Sequence, residues 1–270
     1  MIKGTSHLAT GAGEFLGMHF TSFPWIYIPV WLAVTIPPIY TIFWYIGTLF
    51  ILRRTIIHRK KMNIDGALEL LPIFCFFGPI ASILLSGAGI YTGWRHIYFI
   101  YPSFVILAMI GVRDAITWTQ KKRGMMKKWG QRIIIGSVLL QFVWTGAWMM
   151  RNHPFEAVYY SILPTDIIEK YFLLDDWALS YKQSTEWLLN NATTQRATVY
   201  SDENQAYINM YNIFPIAQWR FIDSDREHAQ YVLTRSKEVA KGLTLLHEFT
   251  VDGMRINGIY KGPAYTEPRH

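Results

Sequence analysis

The chain has 270 residues, of which 51% are hydrophobic, 16% aromatic and only 17% charged, with a single cysteine. That composition excludes a disordered, a collagen-like or a disulfide-stapled chain, and a charged share below the about 25% of ordinary soluble domains argues against one of those too. The net charge of +7 divides unevenly: residues 1–154 carry 15 Lys/Arg and 4 Asp/Glu, while residues 155–270 carry 11 and 15, so the basic half is the apolar half and points to a membrane surface rather than to nucleic acid.

Residues 1–23 read as an outer N-terminal segment. They hold one lysine and no apolar run of signal-peptide length, so no secretory signal peptide is expected and insertion falls to an internal segment. Four apolar stretches follow, at about 24–52, 68–91, 97–118 and 133–150. Each has roughly the 20 residues that cross about 30 Å of hydrocarbon at about 1.5 Å per residue. The first exceeds a straight crossing and contains Pro37-Pro38, which predicts one tilted helix kinked at that pair. Buried helices of a soluble protein would keep a polar face, and these stretches have almost none.

The connections set an orientation. Arg53, Arg54, Arg59, Lys60 and Lys61 join the first stretch to the second, and Lys121, Lys122, Arg123, Lys127, Lys128 and Arg132 join the third to the fourth. Short loops rich in Lys and Arg stay in the cytoplasm. Both basic loops then lie inside, and the N-terminus and everything after Arg151 lie outside. Trp25, Tyr27, Tyr91, Trp94, Tyr98, Tyr101 and Trp148 gather at the outer ends as an interfacial belt.

After Pro154 the pattern changes. Trp177 to Asn190 has helical spacing, with Trp177, Tyr181, Ser184 and Leu188 on one stripe and Asp176 as its N-cap. Residues 197–201 read as a strand, 204–212 as a short helix, and 219–222 and 230–234 as strands. Residues 245–251 and 255–261 read as a hairpin around Asp252-Gly253, a strong two-residue turn signal. The expected architecture is a polytopic α-helical membrane protein of about four transmembrane helices within 24–153, followed by a small extracytoplasmic α/β domain over 154–270.

Soluble-enzyme signatures are absent from the sequence: no nucleotide-binding glycine loop and no metalloprotease motif. Arg95 and His96 sit at the outer mouth of the third stretch, followed by Tyr98 and Tyr101. A planar guanidinium with a second donor beside it can grip a lipid phosphate. The same residue types also serve as plain interfacial anchors, and the residue types leave both readings open. Asp175-Asp176 reads as a helix cap plus a solvated charge or, less simply, as an acid pair.

Three segments carry a family resemblance. Pro24-Trp25-Ile26-Tyr27-Ile28-Pro29-Val30-Trp31 with Thr35-Ile36-Pro37 resembles a segment of bacterial membrane glycosyltransferases of the dolichyl-phosphate-mannose protein mannosyltransferase type, the GT-C class. Gly93-Trp94-Arg95-His96-Ile97-Tyr98-Phe99-Ile100-Tyr101-Pro102 is similar to a second segment. Asn152-His153-Pro154-Phe155 with Val158-Tyr159-Tyr160, then Asp175-Asp176-Trp177-Ala178-Leu179-Ser180-Tyr181, resembles the stretch after the last span. The order and spacing agree over about residues 13–190.

The resemblance implies sugar transfer from a polyprenyl-phosphate donor to an acceptor on the outer side of a bacterial inner membrane. It implies donor-phosphate binding by Arg95, His96, Tyr98 and Tyr101. A divalent metal serves some members of the class, and no ligands for one are identified here. Members have more spans and an acidic motif in the first outer loop, which this chain lacks; Glu14 does not match it. The chain therefore resembles the carboxy-terminal part of such an enzyme, with membrane lipids and a missing N-terminal half as partners and no nucleic acid. The alternative is a non-enzymatic, membrane-anchored interaction module.

Overall fold

Pro37 and Pro38 cut the first apolar stretch in two. In the computed structural model, which describes residues 13–16, 18–20, 25–58, 64–86, 95–172, 174–175 and 177–267, helix α1 (Tyr27–Thr35) gives way at Ile36 to extended backbone, the conformation favoured before a proline. Helix α2 (Pro38–His58) then opens on Pro38, where the missing N–H is no loss. A break thus stands where the sequence predicts a kink. A short antiparallel pair, β1 (Gly13–Phe15) and β2 (Met18–Phe20), precedes α1. Arg59, Lys60 and Lys61 of the first basic loop lie outside the described residues, as do Tyr91 and Trp94 of the expected belt.

The chain divides into two compact units, residues 1–151 with 160–164 and residues 152–159 with 165–270. The first unit continues with α3 (Ile64–Leu68) and α4 (Leu71–Ser86), then a 3-10 helix over Arg95–Ile100 that runs into α5 (Tyr101–Gln120), and α6 (Met125–Asn152). Helix α6 starts well before the expected position, so Lys127, Lys128 and Arg132 belong to a helix and not to a loop. Among the described residues, three helices are long and apolar enough to cross a membrane: Gly66–Ser86, His96–Gln120 and Met125–Asn152. Helix α2, with 21 residues, is not among them; Arg53 and Arg54 dilute its apolar run.

Helices α2 and α5 form the tightest pair of this unit, and they run in the same direction. Trp44 stacks on Phe104 at 5.7 Å near one end, and Arg54 pairs with Asp114 near the other. Gly47 and Gly111 allow the approach. A Cβ on Gly47 would lie 2.0 Å from the Leu107 carbonyl oxygen, and one on Gly111 would lie 1.8 Å from that of Phe43. Small residues at a crossing are how membrane helices come close without a hydrophobic driving force. Phe76 and Phe77 of α4 close on Trp44 at 5.1 and 5.8 Å, so an aromatic cluster ties α2, α4 and α5. Tyr160 lies 6.0 Å from Trp31, and the Ser161 hydroxyl donates to the carbonyls of Val34 and Ile36, which the proline break leaves without helical partners.

The second unit contains α7 (Thr165–Tyr171), α8 (Ser180–Asn191), α9 (Asn204–Ile213) and the single turn α10 (Ala217–Arg220). Its strands are β3 (Ala197–Ser201), β4 (Phe221–Asp223), β5 (Tyr231–Thr234), β6 (Thr244–Val251) and β7 (Met254–Lys261). The sheet order is β4-β3-β5-β7-β6. Strands β4 and β5 both pair parallel with β3, while β7 is antiparallel to β5 and β6. Every residue of β5 is buried, as both sheet faces being covered requires. Tyr181, Leu188, Val199, Met210, Leu233 and Ile259 share the core on one face, and Val232 and Tyr260 pack on the other.

The sequence reading of this unit needs three corrections. Helix α8 begins at Ser180 and not at Trp177, which stays half exposed. Trp219 falls in α10 and not in a strand, and α7 was not foreseen. Strand β3 and the β6–β7 hairpin stand as expected, with Asp252 and Gly253 both at positive φ as a tight Asp-Gly turn demands.

Candidate functional site

The sequence-selected residues cluster at the start of α5. Residues spaced by three eclipse one another on a 3-10 helix, so Ile97 and Ile100 face inward and are almost wholly buried, while His96, Tyr98 and Phe99 are exposed. Tyr101, half-buried, stacks on Phe104 at 5.7 Å and 6° between ring planes. Phe104 in turn stacks on Trp44. An aromatic column therefore runs from this exposed turn into the helix bundle. Arg95 opens the same 3-10 helix; its side chain lies outside the described residues. The backbone thus brings all four candidates into one short 3-10 helix and the residue after it, with the buried Ile97 and Ile100 anchoring it.

Sequence reasoning missed a second cluster in this unit. Arg54 on α2 pairs with Glu69, 2.9 Å away just before α4, and with Asp114 on α5. Arg113 reaches Glu69 at 3.2 Å and Asp114 at 3.0 Å. Two acids and two guanidinium groups thus close a four-membered network across α2, α5 and the turn before α4. Asp114 is nearly buried and Glu69 partly so. Ionisable groups near membrane depth pair with one another in this way. The only signal in the sequence was the scarcity of acids in the apolar half; nothing there shows that Arg54 and Asp114 meet.

The second unit holds a buried charged group of its own. Asp175 sits at positive φ before α8, where its carboxylate accepts the Leu179 and Ser180 backbone N–H groups, each at 2.8 Å. It therefore caps α8, the role the sequence assigned to Asp176, which lies outside the described residues. Arg235, just beyond β5, donates to the Asp175 carbonyl and, at 2.5 Å, to the Glu203 carboxylate beyond β3. Burial pushes the carboxyl of Asp175 up from its ordinary value, against the opposing pull of the Ser180 and Leu179 donors and of Arg235. Burial also raises Asp202, against a hydrogen bond from Thr234. Asp175 thus serves as a cap, Glu203 as an ion-pair partner and Asp202 as an acceptor for Thr234. Among the described residues no group of three or more His, Cys, Asp or Glu is arranged to hold a metal ion.

No family model, no curated protein and no solved structure matches this chain. The resemblance to the membrane glycosyltransferases rests on the motifs of residues 13–190 alone.

Proposed function

We propose that the chain is part of a membrane glycosyltransferase that binds a polyprenyl-phosphate sugar donor and serves transfer to an acceptor on the outer side of a bacterial inner membrane. The observation that carries the reading is the polarity of α5. The residues just after its last turn are Lys121 and Lys122, with Lys121 beside Arg53 and Arg54 of the parallel α2, and its first turn follows the exposed His96 and Tyr98. Twenty helical residues separate these ends by about 30 Å, the thickness of a bilayer's hydrocarbon. Cytoplasmic basic ends leave the Arg95–Tyr101 turn at the outer headgroup level, where a carrier lipid keeps its phosphate. In this reading α1 and α2 supply a fourth crossing, because α2 lies along α5, and residues after Arg151 are extracytoplasmic.

Arg95 then holds the phosphate through charge-assisted hydrogen bonds and stabilises the negative charge left on it as the sugar departs. His96 adds a donor, and Tyr98 and Tyr101 line the entry. Proton abstraction is not the role of this turn, and the family's catalytic acid is carried over to no position of this chain. The test is sugar transfer from a polyprenyl-phosphate donor by the reconstituted complete enzyme. Arg95→Ala should cost roughly ten- to hundred-fold in turnover or donor affinity, and Arg95→Lys most of that, since the fork is lost while the charge stays. Unchanged turnover and affinity in a normally inserted Arg95→Ala protein would reduce the turn to an interfacial anchor. One observation favours the rival reading of a non-enzymatic anchor presenting an α/β module: Asp114, Glu69, Asp175 and Glu203 are all engaged in structural caps or ion pairs.

A further inference from the structure

An apolar groove of about 910 Å³ opens between α2, α5 and α6. Ile46 and Phe50 of α2, Ala115 and Trp118 of α5, and Trp129 and Ile133 of α6 line it. A smaller polar pocket of about 320 Å³ adjoins it, sharing Phe50 and Trp118 and lined further by Arg53, Arg54, Asp114 and Lys121. Arg54 is engaged by Asp114 and Glu69. Arg53 and Lys121 thus leave the pocket cationic. The basic rim continues with Lys122, 4.5 Å above the Trp118 ring, and Arg132, 5.1 Å from that of Trp129.

We propose that this composite cavity binds an anionic phospholipid of the leaflet facing the basic helix ends, its acyl chain in the groove and its phosphate between Arg53 and Lys121. The division of the cavity matches an amphiphile. The groove is close to the top of the about 300–1,000 Å³ range of ligand pockets and is walled by hydrocarbon and indole. The polar part is small, lies at the helix ends and carries excess positive charge. Basic pockets between membrane helices on the cytoplasmic side are where anionic headgroups bind. A partner helix fits the groove poorly, because close helix approach needs small residues. Gly130, the glycine on the α6 wall, is already taken up by the Thr119 side chain, whose Cβ would stand 2.6 Å from an added Cβ. This site lies at the opposite end of α5 from the Arg95 turn and is independent of the donor site proposed there.

Native mass spectrometry of the full chain, released from mixed detergent micelles with phosphatidylglycerol or phosphatidylcholine, tests the assignment. Phosphatidylglycerol should be retained in preference, and Arg53→Gln with Lys121→Gln should lower its affinity roughly ten- to thirty-fold, toward that of phosphatidylcholine. Ala115→Phe should fill the groove and release both lipids. Arg95→Ala should change nothing here, which separates this site from the donor site. Equal retention of the two lipids, or retention indifferent to the charge variants, would overturn the proposal. So would stoichiometric displacement of phosphatidylglycerol by polyprenyl phosphate. The charge variants sit at exposed positions, so they decide the headgroup assignment even where Ala115→Phe unseats α6.

Discussion

Asp175 shows how one side chain can hold a loop and set a pH response. At positive φ, a conformation that Asp and Asn tolerate better than most residues, it turns its carboxylate onto the first free N–H groups of α8. Asp175→Ala loses that cap and should cost about 1–2 kcal/mol, read as a lower urea midpoint of the second unit. Because burial holds its carboxyl above the ordinary value, the folded state binds this proton more tightly than the unfolded chain. Its contribution to stability is then fullest in acid and is lost as pH rises from about 4 through the raised value. Asp175→Asn keeps the acceptor and cannot ionise, so its midpoint should fall less than the parent's between pH 4 and pH 7. Asp202, raised for the same reason, leaves part of the slope in place. In the helical unit, Asp114→Asn deprives Arg54 and Arg113 of a shared partner. A loss of about 1–3 kcal/mol is expected, below that of a fully buried pair because both guanidinium groups reach solvent. Arg54→Gln combined with Asp114→Asn should cost less than the sum of the single changes, as a thermal melt in detergent would show. The sequence came within one residue of the Asp175 cap, since caps are local. It was blind to the Arg54–Asp114 pair, because sixty residues separate the partners and only the parallel packing of α2 on α5 brings them together.

At the level of elements, the contact between α2 and α5 depends on what Gly47 and Gly111 lack. Either Gly→Ala change drives a methyl into a backbone carbonyl, which cannot rotate away as a side chain could. The helices must separate, and a loss of about 1–3 kcal/mol or more is expected. Gly136→Ala and Gly146→Ala on α6 meet nothing within 4 Å and should be neutral or slightly stabilising, since alanine is the better helix former. Melting temperatures of the four variants in one detergent make this comparison. Legibility of the elements followed the range of the signals. The Asp252-Gly253 turn and the alternation of residues 197–201 are written within a few residues, and both strands and hairpin emerged where expected. The seven residues of α7 bury only Ile168, too weak a stripe to show a period. Trp219 sits in a single helical turn immediately before β4, where its aromatic and apolar neighbours imitate a strand.

Across the whole molecule, the described helices long and apolar enough to cross a membrane belong to the first unit and the five-stranded sheet to the second. In the proposed four-crossing topology, alkaline phosphatase fused after the last residue should be active and fused at Lys122 inactive, because cytoplasmic basic ends and an even number of crossings put the C-terminus outside. The reverse pattern at the C-terminus would demand an odd number. The segment 152–270 carries its own five-stranded sheet and cores on both sheet faces and should give a folded circular dichroism spectrum when expressed without the helices; an unfolded spectrum would show that it needs them. Hydropathy made the membrane class legible because it sums over many residues. The sheet order did not follow from it: which strand neighbours β3 depends on crossovers that leave no mark in local sequence.

Helix α6 has 28 residues and buries none of them. Crossing a membrane, its apolar length from Ile133 to Met150 would meet lipid rather than the other helices of this unit. Lipid accepts nearly any hydrocarbon shape, whereas the crossing of α5 on α2 accepts only one. In a saturating substitution scan, α6 between Ile133 and Met150 should form a plain on which leucine, isoleucine, valine and phenylalanine exchange freely. Helix α5 should show isolated peaks of intolerance at Leu107, Gly111 and Asp114. The pace of evolutionary drift along the two helices should differ for the same reason.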